Sequence, residues 1–223
     1  KVGTRILPLH NHLFVLPETR ANRTEKTIVS EDDYKKMNNY LKSNDDKYYN
    51  ICFVLPVPIA HMNYTSSFER MFRFITKLFK SKRLSAYHHD DVVDHWAHSY
   101  HVEDENKMMD TIFNFGDYFE PKYLSIVSGD VHSSGASKIT REISGRRNYA
   151  TQIVSSPIVN KAVIWMTALH HIFARGKRTT GLYHFEMKRW GSYWRRNIYK
   201  RSFVITKDVP DNPNNSENER KPY

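Results

Sequence analysis

One cysteine, Cys52, occurs among 223 residues. That excludes an intrachain disulfide, favours a reducing compartment and, because Cys52 sits inside an apolar run, reads as a buried core residue. Long hydrophobic runs are missing as well. The longest, Ile51 to Ile59, is about half of the roughly 20 residues that a membrane-spanning helix requires, and Pro56 and Pro58 interrupt it. Nothing after Lys1 resembles a charged n-region followed by an apolar h-region and a cleavage site, and the first residue is not Met, so the chain is expected to be processed or cut from something longer. No internal repeat and no DNA- or RNA-binding signature is present. These absences favour an intracellular protein with any membrane anchor outside these residues. The sequons at Asn22, Asn63 and Asn214 carry little weight in so Asn-rich a chain.

What the chain does contain is basic charge and aromatic bulk. Lys and Arg number 34 against 24 Asp and Glu, a net charge of +10, with 39% hydrophobic and 13% aromatic residues. A chain with that much apolar material forms a core and is not a disordered basic tail. The length suits one domain or two small ones.

Periodicity divides it further. His12 to Pro17 reads as a strand ending in the loop Glu18-Thr19-Arg20. Ser30 with Asp33 has capping-box spacing, and Tyr34, Met37 and Leu41 continue at helical intervals. Ile51 to Leu55 reads as a strand covered on both faces, and Pro56-Val57-Pro58 forces the chain out of the sheet at its carboxyl end, where α/β proteins place ligands. Phe68 to Lys82 is an amphipathic basic helix, and Glu103 to Phe119 is another helix. Tyr123 to Ser128 is a strand ended by Gly129-Asp130-Val131-His132. The glycine- and serine-rich stretch that follows reads as a loop, and Ala150 to Val154 as the next strand. A helix from Asn160 to Arg175 and strands at Tyr183 to Met187 and Arg201 to Thr206 complete the pattern. The fold class expected is α/β, or layered α+β, over residues 1–207, with a disordered tail at 208–223.

Four stretches could carry chemistry. Asp130 and His132 stand two apart in a loop leaving a buried strand, so a carboxylate and an imidazole could converge on a divalent metal; the alternative is a loop Asp bonded to backbone amides beside an incidental His. The segment from His88 to His101 is dense in His and Asp. Asp91, Asp94, His95 and His98 share a helix face there, as a metal or acid–base cluster or as ordinary helix-start capping. Arg20, in the loop after the first strand, could grip a phosphate bidentately or form a surface salt bridge. Lys188 to Arg201 interleaves Trp190, Tyr193, Trp194 and Tyr199 with basic residues, which fits an anionic membrane, single-stranded nucleic acid or, more commonly, core aromatics beneath a solvated face.

Taken in order, these pieces resemble the C-terminal part of the PhoD-like metallophosphatase family, within the calcineurin-like superfamily and in its fungal and eukaryotic branch. The landmarks are Thr19-Arg20 with Arg23-Thr24; Val57-Pro58-Ile59-Ala60; Asp90-Asp91-x-x-Asp94-His95-Trp96; Ser128-Gly129-Asp130-Val131-His132; and Ile153-Val154-Ser155-Ser156-Pro157-Ile158 with Asn160-Lys161. The resemblance covers roughly residues 12 to 206. It implies a two-layered β-sandwich flanked by helices and metal-assisted hydrolysis of a phosphoester substrate. By position it makes Asp130 and His132 metal ligands, Arg20 a phosphate-positioning residue and Asp94 a site-lining one, with Asp91 and His95 as further candidates. The metals implied are divalent or trivalent ions such as Ca, Fe, Mn or Zn.

The departures are equally specific. The superfamily's opening metal motifs do not precede Asp130. Gly129 to His132 cannot itself be the opening motif, because only Asp208 and Asp211 follow among the aspartates. The Asp before Thr-Arg is Glu18 here. The chain is therefore expected to lack the earlier metal motifs and to be incomplete or inactive alone. The competing reading is a non-catalytic scaffold or binding module that lays its basic amphipathic faces on an anionic membrane; a nucleic-acid partner is disfavoured. The sequence leaves the oligomeric state open.

Overall fold

The computed structural model describes residues 3–24, 26–60, 96, 99–129, 134–155, 176–188 and 197–198. The chain begins with a hairpin, β1 (Arg5–Leu9) and β2 (His12–Leu16). Its two-residue turn puts His10 at φ 52°. The helix α1 (Glu31–Ser43) starts where the capping spacing predicts: the Ser30 hydroxyl accepts from the Asp33 N–H, and Glu31, Asp32 and Asp33 place negative charge in the first turn, where the helix dipole favours it. β3 (Asn50–Leu55) and β4 (Tyr123–Gly129) match the two predicted apolar strands. Between them in sequence, a short 3-10 turn at Ser99–His101 leads into α2 (Val102–Phe119). α2 ends at Glu120, in the left-handed region, whose N–H bonds to the Gly116 carbonyl at 3.0 Å.

The stretch after Ser133 is not the loop that its glycines and serines suggest. It forms β5 (Ser134–Ile143), paired antiparallel with β6 (Arg146–Ser155) through a two-residue turn. Both turn residues, Ser144 and Gly145, have positive φ, as this hairpin geometry demands. β7 (Lys177–Thr180), β8 (Tyr183–Met187) and β9 (Asn197–Ile198) follow. All nine described strands belong to one mixed sheet, in the order β1-β2-β3-β4-β6-β5-β8-β7, with β9 added on β5. The fold is thus mixed α/β. Its centre, β2, β3, β4 and β6, is parallel throughout.

Register explains which residues form the core. Val15, Phe53, Ile126 and Gln152 lie side by side across the parallel strands, as do Leu55, Ser128 and Val154 one step on. Apart from these polar members, the row is apolar and buried, and it meets the buried stripe of α2: Met108, Ile112, Phe115 and Phe119. Phe115 stands edge-on to Phe53, with ring centroids 5.4 Å apart, and Phe113 stacks on Tyr183 at 5.5 Å. Burying each such side chain stabilises the fold by about 1.5–3 kcal/mol. α1 docks beside α2 through Tyr40, which stacks on Phe115.

Two charged groups inside this core are hydrogen-bonded. Asp104, at the start of α2, accepts from the Ile28 and Val29 N–H groups and from the Tyr34 hydroxyl, tying the loop before α1 to α2. Arg141 on β5 is buried, pairs with Asp117 and lies 4.7 Å from the centre of the Phe113 ring. No helix among the described residues is long and apolar enough to cross a membrane.

Candidate functional site

Because β2, β3, β4 and β6 are parallel, their carboxyl ends share one edge of the sheet. The described segments that leave this edge are Pro17 to Thr24 after β2 and Pro56 to Ala60 after β3. Here the strands open a cavity of about 560 Å3, lined by Leu16 of β2 with Pro17 and Glu18 after it, by Val54 and Leu55 of β3 with Pro56 after it, and by Val127, Ser128 and Gly129 of β4. Gly3 and Arg5 close it on the β1 side. Arg5 comes to this edge because β1 runs antiparallel, which pairs it with Leu16 at the end of β2.

Each wall has a local cause. The Glu18 carboxylate folds back on its own loop, taking hydrogen bonds from the Arg20 N–H at 2.7 Å and the Ala21 N–H at 3.0 Å. Those two backbone donors hold the carboxyl below its ordinary range, so it is ionised at neutral pH. The first segment is also tied to the N-terminal strand: the Glu18 N–H donates to the Thr4 hydroxyl, and the Thr4 N–H donates to Asp33 at 2.7 Å. Burial pushes the Asp33 carboxyl up, but hydrogen bonds from Ser30 and Thr4 outweigh it and leave the pKa lowered.

The second segment is clamped more firmly. Gln152 on β6, fully buried, accepts from the Ile59 and Ala60 N–H groups at 3.0 Å each and donates to the Ala60 carbonyl at 2.9 Å. Its side-chain amide thus stands in for a neighbouring strand. Ser137 on β5 donates to the same carbonyl at 3.3 Å. Arg178 on β7 donates to the Ile59 carbonyl at 3.2 Å, and its guanidinium forms a two-pronged pair with the fully buried Glu105 of α2. Arg178 also lies 4.1 Å from the centre of the Phe185 ring. Glu105 is desolvated, which raises its pKa, and Arg178 opposes that rise.

Among the described residues, the buried hydroxyls of Ser128, near the end of β4, and of Thr19, one residue beyond Glu18, have no hydrogen-bond partner. A Cβ added at Gly129 would stand 3.5 Å from the Pro56 carbonyl oxygen, an ordinary van der Waals contact between the ends of β3 and β4.

The site residues expected from sequence divide accordingly. Arg20 is exposed, and it is not among the residues that line the cavity. Asp91, Asp94, His95, Asp130 and His132 lie outside the described residues. Of the segment from His88 to His101, Trp96 and Ser99 to His101 are described, and Trp96 and His101 are fully buried. Among the described residues no group of three or more His, Cys, Asp or Glu could hold a metal ion. Sequence reasoning missed Arg5 and Gln152, and named Ser128 only as the start of a landmark. The signal for Arg5 was available in the spacing of a hairpin around His10-Asn11; Gln152 sits in an apolar strand and gives no sign of its task.

No protein-family model matches the chain, and no curated protein or solved structure does either.

Proposed function

We propose that this chain carries the later part of a PhoD-like, metal-dependent phosphoester hydrolase domain, of which the mixed sheet is one layer of a two-layered, helix-flanked β-sandwich. One observation supports it above others. Four of the five landmark segments, which begin at Thr19, Val57, Ser128 and Ile153, sit at or just beyond the carboxyl ends of four adjacent parallel strands. Segments up to about 130 residues apart in sequence therefore converge on one edge. Active sites of open α/β sheets occupy that edge.

In this reading Asp130 and His132, which follow Gly129 in the chain, are metal ligands. Arg20 positions phosphate, Asp94 lines the site, and Asp91 and His95 are further candidates. A bound metal would polarise the phosphoryl group and lower the pKa of a coordinated water. The described residues at the edge supply a single carboxylate, Glu18, which does not make a metal site, so no step is derived through a metal from them. What these residues do is structural. Glu18 fixes the turn that carries Arg20, and Gln152 with Arg178 holds the Val57 to Ala60 segment in place.

The earlier metal motifs of the superfamily are missing ahead of Asp130, so the chain alone turns over phosphoesters poorly. The test is the coding sequence ahead of Lys1 together with 4-nitrophenyl phosphate turnover in Mn2+. A metal-binding Asp/His segment in frame, with turnover only when that segment is present, supports the proposal. A start codon immediately ahead of Lys1, without such a segment, overturns it. The net charge of +10 favours the second reading, a scaffold on anionic membranes, which requires liposome binding that falls steeply with salt.

A further inference from the structure

The end of the sheet opposite the candidate site is where exposed apolar side chains gather. The amino ends of β2, β3, β4 and β6 meet there, with the β1–β2 turn at His10-Asn11 and the β5–β6 turn at Ser144-Gly145. Hydrogen bonds set these pieces side by side: the Tyr49 N–H donates to the Asn11 carbonyl at 2.6 Å, and the Tyr123 N–H to the Tyr49 carbonyl at 3.2 Å. Asn148 donates to Asp117 at 2.9 Å, which ties the β5–β6 hairpin to the last turn of α2. Of the nine large hydrophobic side chains exposed among the described residues, five stand at this end: Leu9, Tyr118, Tyr123, Ile143 and Tyr149.

Their arrangement is two aliphatic tips beside an aromatic base. Leu9, 56% exposed, precedes one turn, and Ile143, 46% exposed, precedes the other. Every residue from Glu142 to Tyr149 is exposed. Register sets Tyr149 beside Tyr123, two residues before the Thr151–Ser125 pair, and Tyr123 meets Tyr49 edge-on with centroids 5.4 Å apart. The Lys122 ammonium lies 5.0 and 5.7 Å from the Tyr49 and Tyr123 ring centres, and that of Lys138 lies 4.5 Å from the Tyr149 ring.

The charges at this end favour an anionic partner. Four of the carboxylates are engaged within the protein: Asp45 by the Tyr118 hydroxyl, Asp46 by the Tyr48 hydroxyl, Asp117 by Arg141 and Asn148, and Glu142 by Arg147. Glu120 then stands against Lys42, Lys47, Lys122 and Arg146, all exposed. Aliphatic tips, tyrosines and adjoining basic side chains are the composition of a membrane–water interface: the first enter the acyl boundary, the second sit at headgroup level and the third reach lipid phosphates. These side chains come from separate turns rather than from one groove, which suits a continuous lipid surface better than the anchor residue of a folded partner.

We propose that this end of the sheet is a docking surface for an anionic lipid bilayer, with Leu9 and Ile143 entering the headgroup boundary and Lys122 and Arg146 reaching the phosphates. The proposal rests on the membrane-scaffold reading for its partner and is independent of the phosphoester reading. It turns the carboxyl edge of the strands away from the bilayer.

The experiment is flotation of the full 223-residue chain with vesicles of equimolar phosphatidylserine and phosphatidylcholine, beside vesicles of phosphatidylcholine alone. The parent is expected to float with the first and not the second, and to be released as salt rises. Ile143→Ser is expected to weaken binding about tenfold and Arg146→Gln about fivefold. Both side chains are exposed, and unchanged melting shows that the variants fold. Lys35→Gln, on α1 near its start, should bind like the parent. A parent that binds, with either Ile143→Ser or Arg146→Gln binding just as well, overturns this surface and leaves the scaffold reading standing. No vesicle binding by the parent overturns both. Retention on oligothymidylate in place of vesicles, lost in the same two variants, would overturn the bilayer as the partner.

Discussion

Replacing Gln152 is the sharpest test of how the strand-end segments are held. Its side chain is fully buried and makes three hydrogen bonds to the backbone of Ile59 and Ala60, at 2.9 to 3.0 Å. Gln152→Ala orphans two buried N–H groups, each costing about 1–3 kcal/mol; the Ala60 carbonyl keeps its bond from Ser137. The loss expected is about 3–5 kcal/mol, a large share of the roughly 5–15 kcal/mol that holds a domain together. Gln152→Glu separates the hydrogen bonds from the volume. An ionised carboxylate still accepts from both N–H groups but meets the Ala60 carbonyl as a second acceptor, whereas the protonated acid donates to it as the amide did. Burial and that bond raise the folded-state pKa of the introduced Glu. Its stabilising form is fully present below the unfolded value of about 4.3 and is lost as pH rises through the folded value. Urea denaturation followed by circular dichroism should therefore show Gln152→Glu closer to the parent at pH 4 than at pH 7.5. A cost below about 1 kcal/mol for the alanine variant, or an equal deficit of the glutamate variant at both pH values, would refute the reasoning.

Three further outcomes follow from the same geometry. Arg178→Met leaves Glu105 buried without its partner and should cost about 3–5 kcal/mol in urea denaturation, while the double variant with Glu105→Leu should recover most of that loss. Asp33 has a lowered pKa, so its contribution is present above the unfolded-state value near 4 and is lost as pH falls through the lower folded value; Asp33→Asn should flatten the acid limb of the stability profile. Gly181 sits at φ +54°, and a Cβ there would stand 3.3 Å from Asn106 Oδ1, so Gly181→Ala should lower stability by about 1–2 kcal/mol.

Elements whose buried faces are apolar were legible in the sequence. The Ser30–Asp33 cap, the α2 stripe and the runs in β3 and β4 each produce a period that side-chain type alone reveals. β5 and β7 were hidden because their inward positions are polar. On β5 the buried row includes Ser137 and Arg141, and on β7 it holds Arg178. Each has a partner distant in sequence, Ala60, Asp117 and Glu105 respectively, and no local pattern announces such a pairing. β1 was missed for a different reason: its turn uses His10 rather than glycine at positive φ. The candidate site was half legible. The strand ends and their motif segments could be named from sequence, but the convergence of those segments depends on strand order, and Arg5 reaches the edge only through hairpin register.

The central claim is that this edge belongs to a metal-dependent phosphoester site completed by Asp130 and His132. The most direct measurement is calorimetric titration of the chain with Mn2+, beside its Asp130→Asn and His132→Ala variants. Weak binding that either substitution removes is the result expected. Binding of the same strength in the parent and both variants would contradict the claim.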